Sequence, residues 1–223
     1  MPTSLRRLGD ELFSHLPFSV FSTVGGMMLV AILTFLGAPF YAAVKGGLPA
    51  AFEDLFHIFH PAHMLFSATA TTAMFWKYER RFWKACIVGF LGAIVICGIS
   101  DILMPYLSGL LLGAPMEMHI CIIQHPQLVL PFTLVGIGTG FLAADHIVRA
   151  TFFSHAAHVL VSSAASLLYL VSFGLGDWFH QAGLVFIFVV LAVTIPCCVS
   201  DIVFPLLAVS RDGRPAPQPH AHD

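Results

Sequence analysis

Six side chains in this sequence are of the kind that hold a cation: His60, His63, Asp101, His155, His158 and Asp201. They fall in two copies of one pattern. His60-Pro-Ala-His63-Met-Leu-Phe-Ser67 matches His155-Ala-Ala-His158-Val-Leu-Val-Ser162, and Cys97-Gly-Ile-Ser100-Asp101-Ile102-Leu-Met-Pro105 matches Cys197-Cys-Val-Ser200-Asp201-Ile202-Val-Phe-Pro205. The shared templates are H-x-A-H-x-L-x-S and C-x-x-S-D-I-x-x-P, in the same order each time. A third match, Leu16-Pro-Phe-Ser19 with Leu130-Pro-Phe-Thr133, is short.

Histidines at i and i+3 put both imidazoles on one helix face. Imidazole suits Zn, Fe, Ni, Co and Cu, and a carboxylate completes such a site. One His pair with one Asp gives three protein ligands, the number that leaves a metal position open. Ser67 and Ser162, one turn beyond the second His of each pair, serve either as donors to a ligating group or as interhelical hydrogen-bonding residues. Pro105 and Pro205 each follow the Asp by four residues, where a missing N–H and a ring clash kink a helix and free its carbonyls.

Secondary candidates surround this set. His57 precedes the first HxxH by one turn and extends it. Met116, Glu117, Met118, His119, Cys121 and His125 share one stretch, where thioether, thiol and imidazole together resemble a soft-metal capture surface; an amphipathic loop resting on the membrane is the alternative. Asp145, His146 and Arg149 are expected to pair with one another, and His220 and His222 belong to a solvated tail. The Cys residues inside apolar runs read as small packing residues.

The elements that must position these groups are membrane helices. Hydrophobic residues make up 58% of the 223 and charged residues 10%, against about 25% charge in a soluble domain. The uncharged runs are long enough to cross about 30 Å of hydrocarbon as helices. They do not alternate in the roughly 10-residue segments of a barrel. Spans are expected at 18–44, 55–76, 84–107, 128–148, 152–173 and 182–208. The fold class is therefore an all-α integral membrane protein of about six spans. Residues 1–15 form a cytoplasmic N-terminal segment with a short interfacial helix, 16–113 and 128–209 two three-helix repeats, 114–127 an external loop, and 210–223 a disordered cytoplasmic tail.

Lys and Arg set the orientation. Arg6, Arg7, Lys77, Arg80, Arg81, Lys84, Arg149, Arg211 and Arg214 all fall on one side if both termini are cytoplasmic, leaving Lys45 outside. Because each repeat has an odd number of spans, the second is upside down relative to the first, the arrangement of many secondary transporters. On these boundaries His60, His63 and Asp101 lie towards the outer side and His155, His158 and Asp201 towards the inner. They form either two half-sites or, if helices tilt, one central cluster.

A plasma- or inner-membrane transporter or channel for a divalent transition-metal ion follows, with the bilayer and the ion as partners and a homo-oligomer or larger complex as its setting. An ionisable residue inside a span costs several kcal/mol and points to a cavity or partner. Two other readings use the same residues: a membrane metalloenzyme with Zn or Fe and a lipid-like substrate, and a di-haem electron carrier. HxxH alone cannot ligate both faces of one haem, since both residues leave the helix on one side. The absence of a basic stripe argues against nucleic acid.

Overall fold

A computed structural model describes residues 2–41, 47–144 and 147–209, with side chains for 16–36, 47–144, 157–197, 199–201 and 203–209. Among the described residues the chain is all-helical. The long elements are α1 (Pro2–Tyr41), α2 (Gly47–Tyr78), α3 (Phe82–Leu111), α4 (Pro126–Ala143), α5 (Ile147–Ser172) and α6 (Trp178–Ala208). Residues 3–15 are the start of one continuous helix, not a separate one. The stretch 114–127 contains a single helical turn, Cys121–Gln124, and α4 already begins at Pro126. Proline at the first position of a helix costs nothing, because that N–H has no partner in any case.

Among the described residues four helices are long and apolar enough to cross a membrane: Leu16–Leu36, Phe82–Leu111, Pro126–Ala143 and Trp178–Ala208. Their large apolar side chains point outward. Phe21, Trp83, Leu111 and Leu142 are 75% to 82% exposed. Such a surface is a liability in water and fits a hydrocarbon solvent. The two remaining expected spans lie in α2 and α5, which carry the HxxH motifs and much of the buried Ser and Thr. These two helices pack on each other at the centre, α2 also against α4 and α5 also against α1. Their moderate hydropathy therefore has a packing reason, since their polar faces meet protein rather than lipid. Fully buried polar residues concentrate here, among them His60, His63, Ser67, Thr71, Thr72, Ser162, Ser163 and Ser166.

Helices α3 and α6 are not uniform. Each widens into a π-helical turn over its S-D-I segment, Ile99–Leu103 in α3 and Val199–Val203 in α6. An additional π-helical stretch, Gly92–Cys97, precedes the first. Pro105 and Pro205 have no N–H to give the carbonyls of Asp101 and Asp201, four residues back. The widened turns are the form the expected kinks take, and such turns recur at functional sites.

Candidate metal centre

The centre is built where α2 crosses α5. His60 and His63, on one face of α2, both reach Asp101 on the π-turn of α3. His60 Nδ1 donates to Asp101 Oδ2 at 2.8 Å and His63 Nδ1 donates to the same oxygen at 2.7 Å. Ser162 Oγ donates to Asp101 Oδ1 at 3.2 Å. Across the bundle His158 Nδ1 donates to Asp201 Oδ2 at 3.0 Å. A carboxylate accepts only, so each ring nitrogen facing one carries the hydrogen; the tautomers are assigned by this network. An aspartate inside an apolar helix costs up to about 2.5–3.5 kcal/mol on membrane-insertion scales. Hydrogen bonds to a charged group contribute about 1.5–3 kcal/mol each, so three donors offset the cost at Asp101.

The two halves meet at one contact: His63 Nε2 lies 2.7 Å from His158 Nε2. Among the described residues the two motif copies therefore meet in one cluster. With both Nδ1 atoms donating to carboxylates, both Nε2 atoms present lone pairs to each other. Two acceptors at hydrogen-bond distance make a seat that a shared proton or a metal ion can fill. Two nitrogens on one tetrahedral zinc stand about 3.3 Å apart for bonds of about 2.0–2.1 Å. Opening the pair by roughly half an ångström would admit such an ion.

Two of the cysteines read from the sequence as packing residues border this contact. Cys97 Sγ is 3.7 Å and Cys197 Sγ 3.9 Å from His63 Nε2. His63, His158 and Cys197 offer ligand atoms that all lie within 4.8 Å of one another, so this buried group can hold a metal ion. The aspartates stand behind the imidazoles instead of beside them as third ligands. That is the carboxylate–histidine arrangement which orients a ligating ring and raises its basicity. The motif spacing C-x-x-S-D placed each Cys four residues, about one turn, before its Asp and was the available signal for the thiols.

The serines pair across the two motifs. Ser67 Oγ lies 2.8 Å from Ser200 Oγ, and Ser162 Oγ 3.1 Å from Ser100 Oγ. Thr71 Oγ1 donates to Ser200 O at 3.1 Å, and Ser166 Oγ to Ser100 O at 3.2 Å. Ser67 is thus interhelical, while Ser162 does that and also holds the Asp101 carboxylate.

The secondary candidates divide. His57, His119 and His125 come together in a second group, their ligand atoms within 4.8 Å of one another. Burial first, then the imidazoles of His57 and His125, hold His119 well below its ordinary range, at about 4. Met116 is buried against Gly109 and Gly174. Met118 Sδ lies 3.9 Å from the Tyr169 hydroxyl, and the Glu117 side chain is exposed. The side chains of His155 and Arg149 and residues Asp145, His146, His220 and His222 lie outside the described residues, as do Lys45, Arg211, Arg214 and the side chains of Arg6 and Arg7. No protein-family model, curated protein or solved structure matches this chain.

Proposed function

We propose that this chain is a six-span integral membrane transporter for a divalent transition-metal ion, with the cargo site at the contact between His63 and His158. The observation that carries the reading is that pair: two buried imidazoles, each held by a carboxylate on its far nitrogen, with lone pairs converging inside a bundle whose outer surface is apolar. Imidazole and thiol together favour ions such as Zn2+, Co2+, Ni2+ and copper over Mg2+, Ca2+ and Mn2+. Ligands must be deprotonated to bind metal. The proton shared by the two Nε2 atoms leaves as an ion loads, which couples ion movement to proton movement in the opposite direction.

The contacts between matching motif positions support two inverted repeats, 16–113 and 128–209. His63 with Asp101 matches His158 with Asp201. Ser67 with Ser200 matches Ser162 with Ser100, and Thr71 with Ser200 O matches Ser166 with Ser100 O. The short third motif match belongs to the same scheme, because it aligns Gly26 with Gly140. A Cβ on Gly26 would stand 3.0 Å from Leu167 Cδ1 and 3.7 Å from Ala164 N, and one on Gly140 would stand 2.7 Å from Thr72 Cβ and 2.9 Å from Thr69 O. Leu167 and Ala164 are the positions that Thr72 and Thr69 occupy in the other motif copy. In such architectures one repeat rocks against the other around a site at their interface. Both termini then face the cytoplasm, on the charge distribution of the short loops.

Reconstituted protein in proteoliposomes tests this. Zn2+ or Co2+ flux is expected in the wild type, and His63→Ala and His158→Ala should each abolish it. Asp101→Asn and Asp201→Asn should lower it by about 10–100-fold by releasing the rings. Flux unchanged in all four variants overturns the proposal.

A further inference from the structure

Three imidazoles converge at the end of the bundle formed by the 114–125 connection, on groups the central site does not use. His57 lies on α2, one turn before His60 and two before His63. His119 and His125 come from the connection between α3 and α4. His57 Nε2 and His119 Nε2 are 3.0 Å apart. The ring centroids of His57 and His125 are 4.6 Å apart and those of His119 and His125 5.5 Å apart. The connection is held in place by its backbone. Glu117 N–H donates to Phe173 O at 2.8 Å, His119 N–H donates to the Tyr169 hydroxyl at 3.0 Å, and that hydroxyl donates to Glu117 O at 3.2 Å. The His119 ring stacks on Phe173 at 4.5 Å. Tyr169 and Phe173 belong to α5 and its C-terminal end, so the element that supplies His158 also fixes His119. The triad is therefore preorganised, and its members are only part-buried at His57 and His125.

We infer that His57, His119 and His125 form a second transition-metal site, a three-imidazole site open on its fourth side. Three neutral nitrogen ligands with a free position are the ligand set of an ion that exchanges ligands with its surroundings, here Zn2+, Co2+, Ni2+ or Cu2+. Its ligand set differs from the central one, having no thiol among the three. A loading role for the site, which rests on the transport reading above, follows from its place along α2. His60 stands between the two groups, about 4.5 Å of helix rise from each of His57 and His63. His60 Nδ1 is committed to Asp101, and its Nε2 is a fully buried nitrogen with no hydrogen-bond partner among the described residues. Such an atom in a native core calls for a function, and a transient ligand between the two sites is one that its position serves.

Co2+ titration of the purified full-length protein in detergent tests the site apart from transport. Wild-type protein should take up two equivalents, one of them with thiolate-to-metal charge-transfer absorption and one with only ligand-field bands. A His57→Ala/His119→Ala double variant should keep the thiolate band and lose the other equivalent. His125→Ala, at a half-buried position, should weaken that equivalent about tenfold or more and guards against a folding defect in the double variant. A His63→Ala/His158→Ala variant should keep the ligand-field equivalent alone. If the outer variants bind as many ions as the wild type, with unchanged affinity, the second site does not exist. In the flux assay the His125 variant should raise the half-saturating ion concentration with the maximal rate retained. A fall in maximal rate with that concentration unchanged overturns the loading role. Flux absent from the wild type overturns the transport reading while leaving the binding result standing.

Discussion

Ser67 on α2 touches Ser200 on the π-turn of α6, Oγ to Oγ at 2.8 Å, while the histidine one turn before it, His63, reaches the π-turn of α3 instead. Each HxxH helix thus binds the aspartate of its own motif copy through an imidazole and the serine of the other copy through a hydroxyl. A double-mutant cycle between Ser67→Ala and Ser200→Ala, read as unfolding free energy in mixed micelles, is expected to give a coupling of about 0.6 kcal/mol and at most about 1.7, the range of interhelical hydrogen bonds in membranes. The matching cycle between Ser100 and Ser162 should give a similar value. A coupling near zero in both would mean the serines pack without bonding.

The glycine contacts differ in how easily a neighbour yields. A Cβ at residue 140 meets Thr72 Cβ and the Thr69 carbonyl, and at residue 136 it meets Leu65 O at 2.5 Å. None of these is the free end of a flexible chain. At residue 26 the first obstacle is the tip of Leu167, which can turn away. Gly136→Ala and Gly140→Ala should each destabilise by about 1–3 kcal/mol, and Gly26→Ala by clearly less. Thermal unfolding of the three variants in detergent checks the order.

Thiol loss separates the two central cysteines. Cys197 shares the ligand-distance group with both His63 and His158, whereas Cys97 lies near His63 only, at 3.7 Å. Cys197→Ser is expected to abolish the thiolate band of bound Co2+ and to weaken binding; Cys97→Ser should leave most of that band. Equal loss from both would show that the thiols act as a pair.

Acid should open the outer group. His119 is held at about 4 against an ordinary 6.5. At pH above 6.5 neither the ordered nor the opened connection binds this proton. Between about 6.5 and 4 the opened form binds it and the ordered form does not, so order is lost as pH falls through that window. Hydrogen exchange at the amides of residues 114–121, measured without added metal, should rise as pH is lowered from 7 to about 4.5, after correction for the intrinsic pH dependence. Replacing His57 by Ala removes a like-charge neighbour and should shift the transition to lower pH. No shift would leave burial and the other nearby imidazoles, His125 first, as the cause.

Much of this protein is legible in its sequence. The apolar runs are long enough to cross a membrane as helices, since a helix satisfies its own backbone over such a length in hydrocarbon. The duplicated HxxH and SDxxxP motifs name the buried imidazoles and carboxylates, because helical spacing and the missing proline N–H are local properties. What the chain cannot express locally is which side of an imidazole meets which partner. Asp101 and Asp201 sit behind the rings, Cys97 and Cys197 sit beside the contact, and His57 finds His119 and His125. Each of those arrangements depends on the crossing of α2 with α5 and on a connection pinned to Tyr169 and Phe173. Residues far apart in sequence are brought within hydrogen-bond reach only when the six helices pack, so the cluster is a property of tertiary structure, and its constituents are a property of sequence.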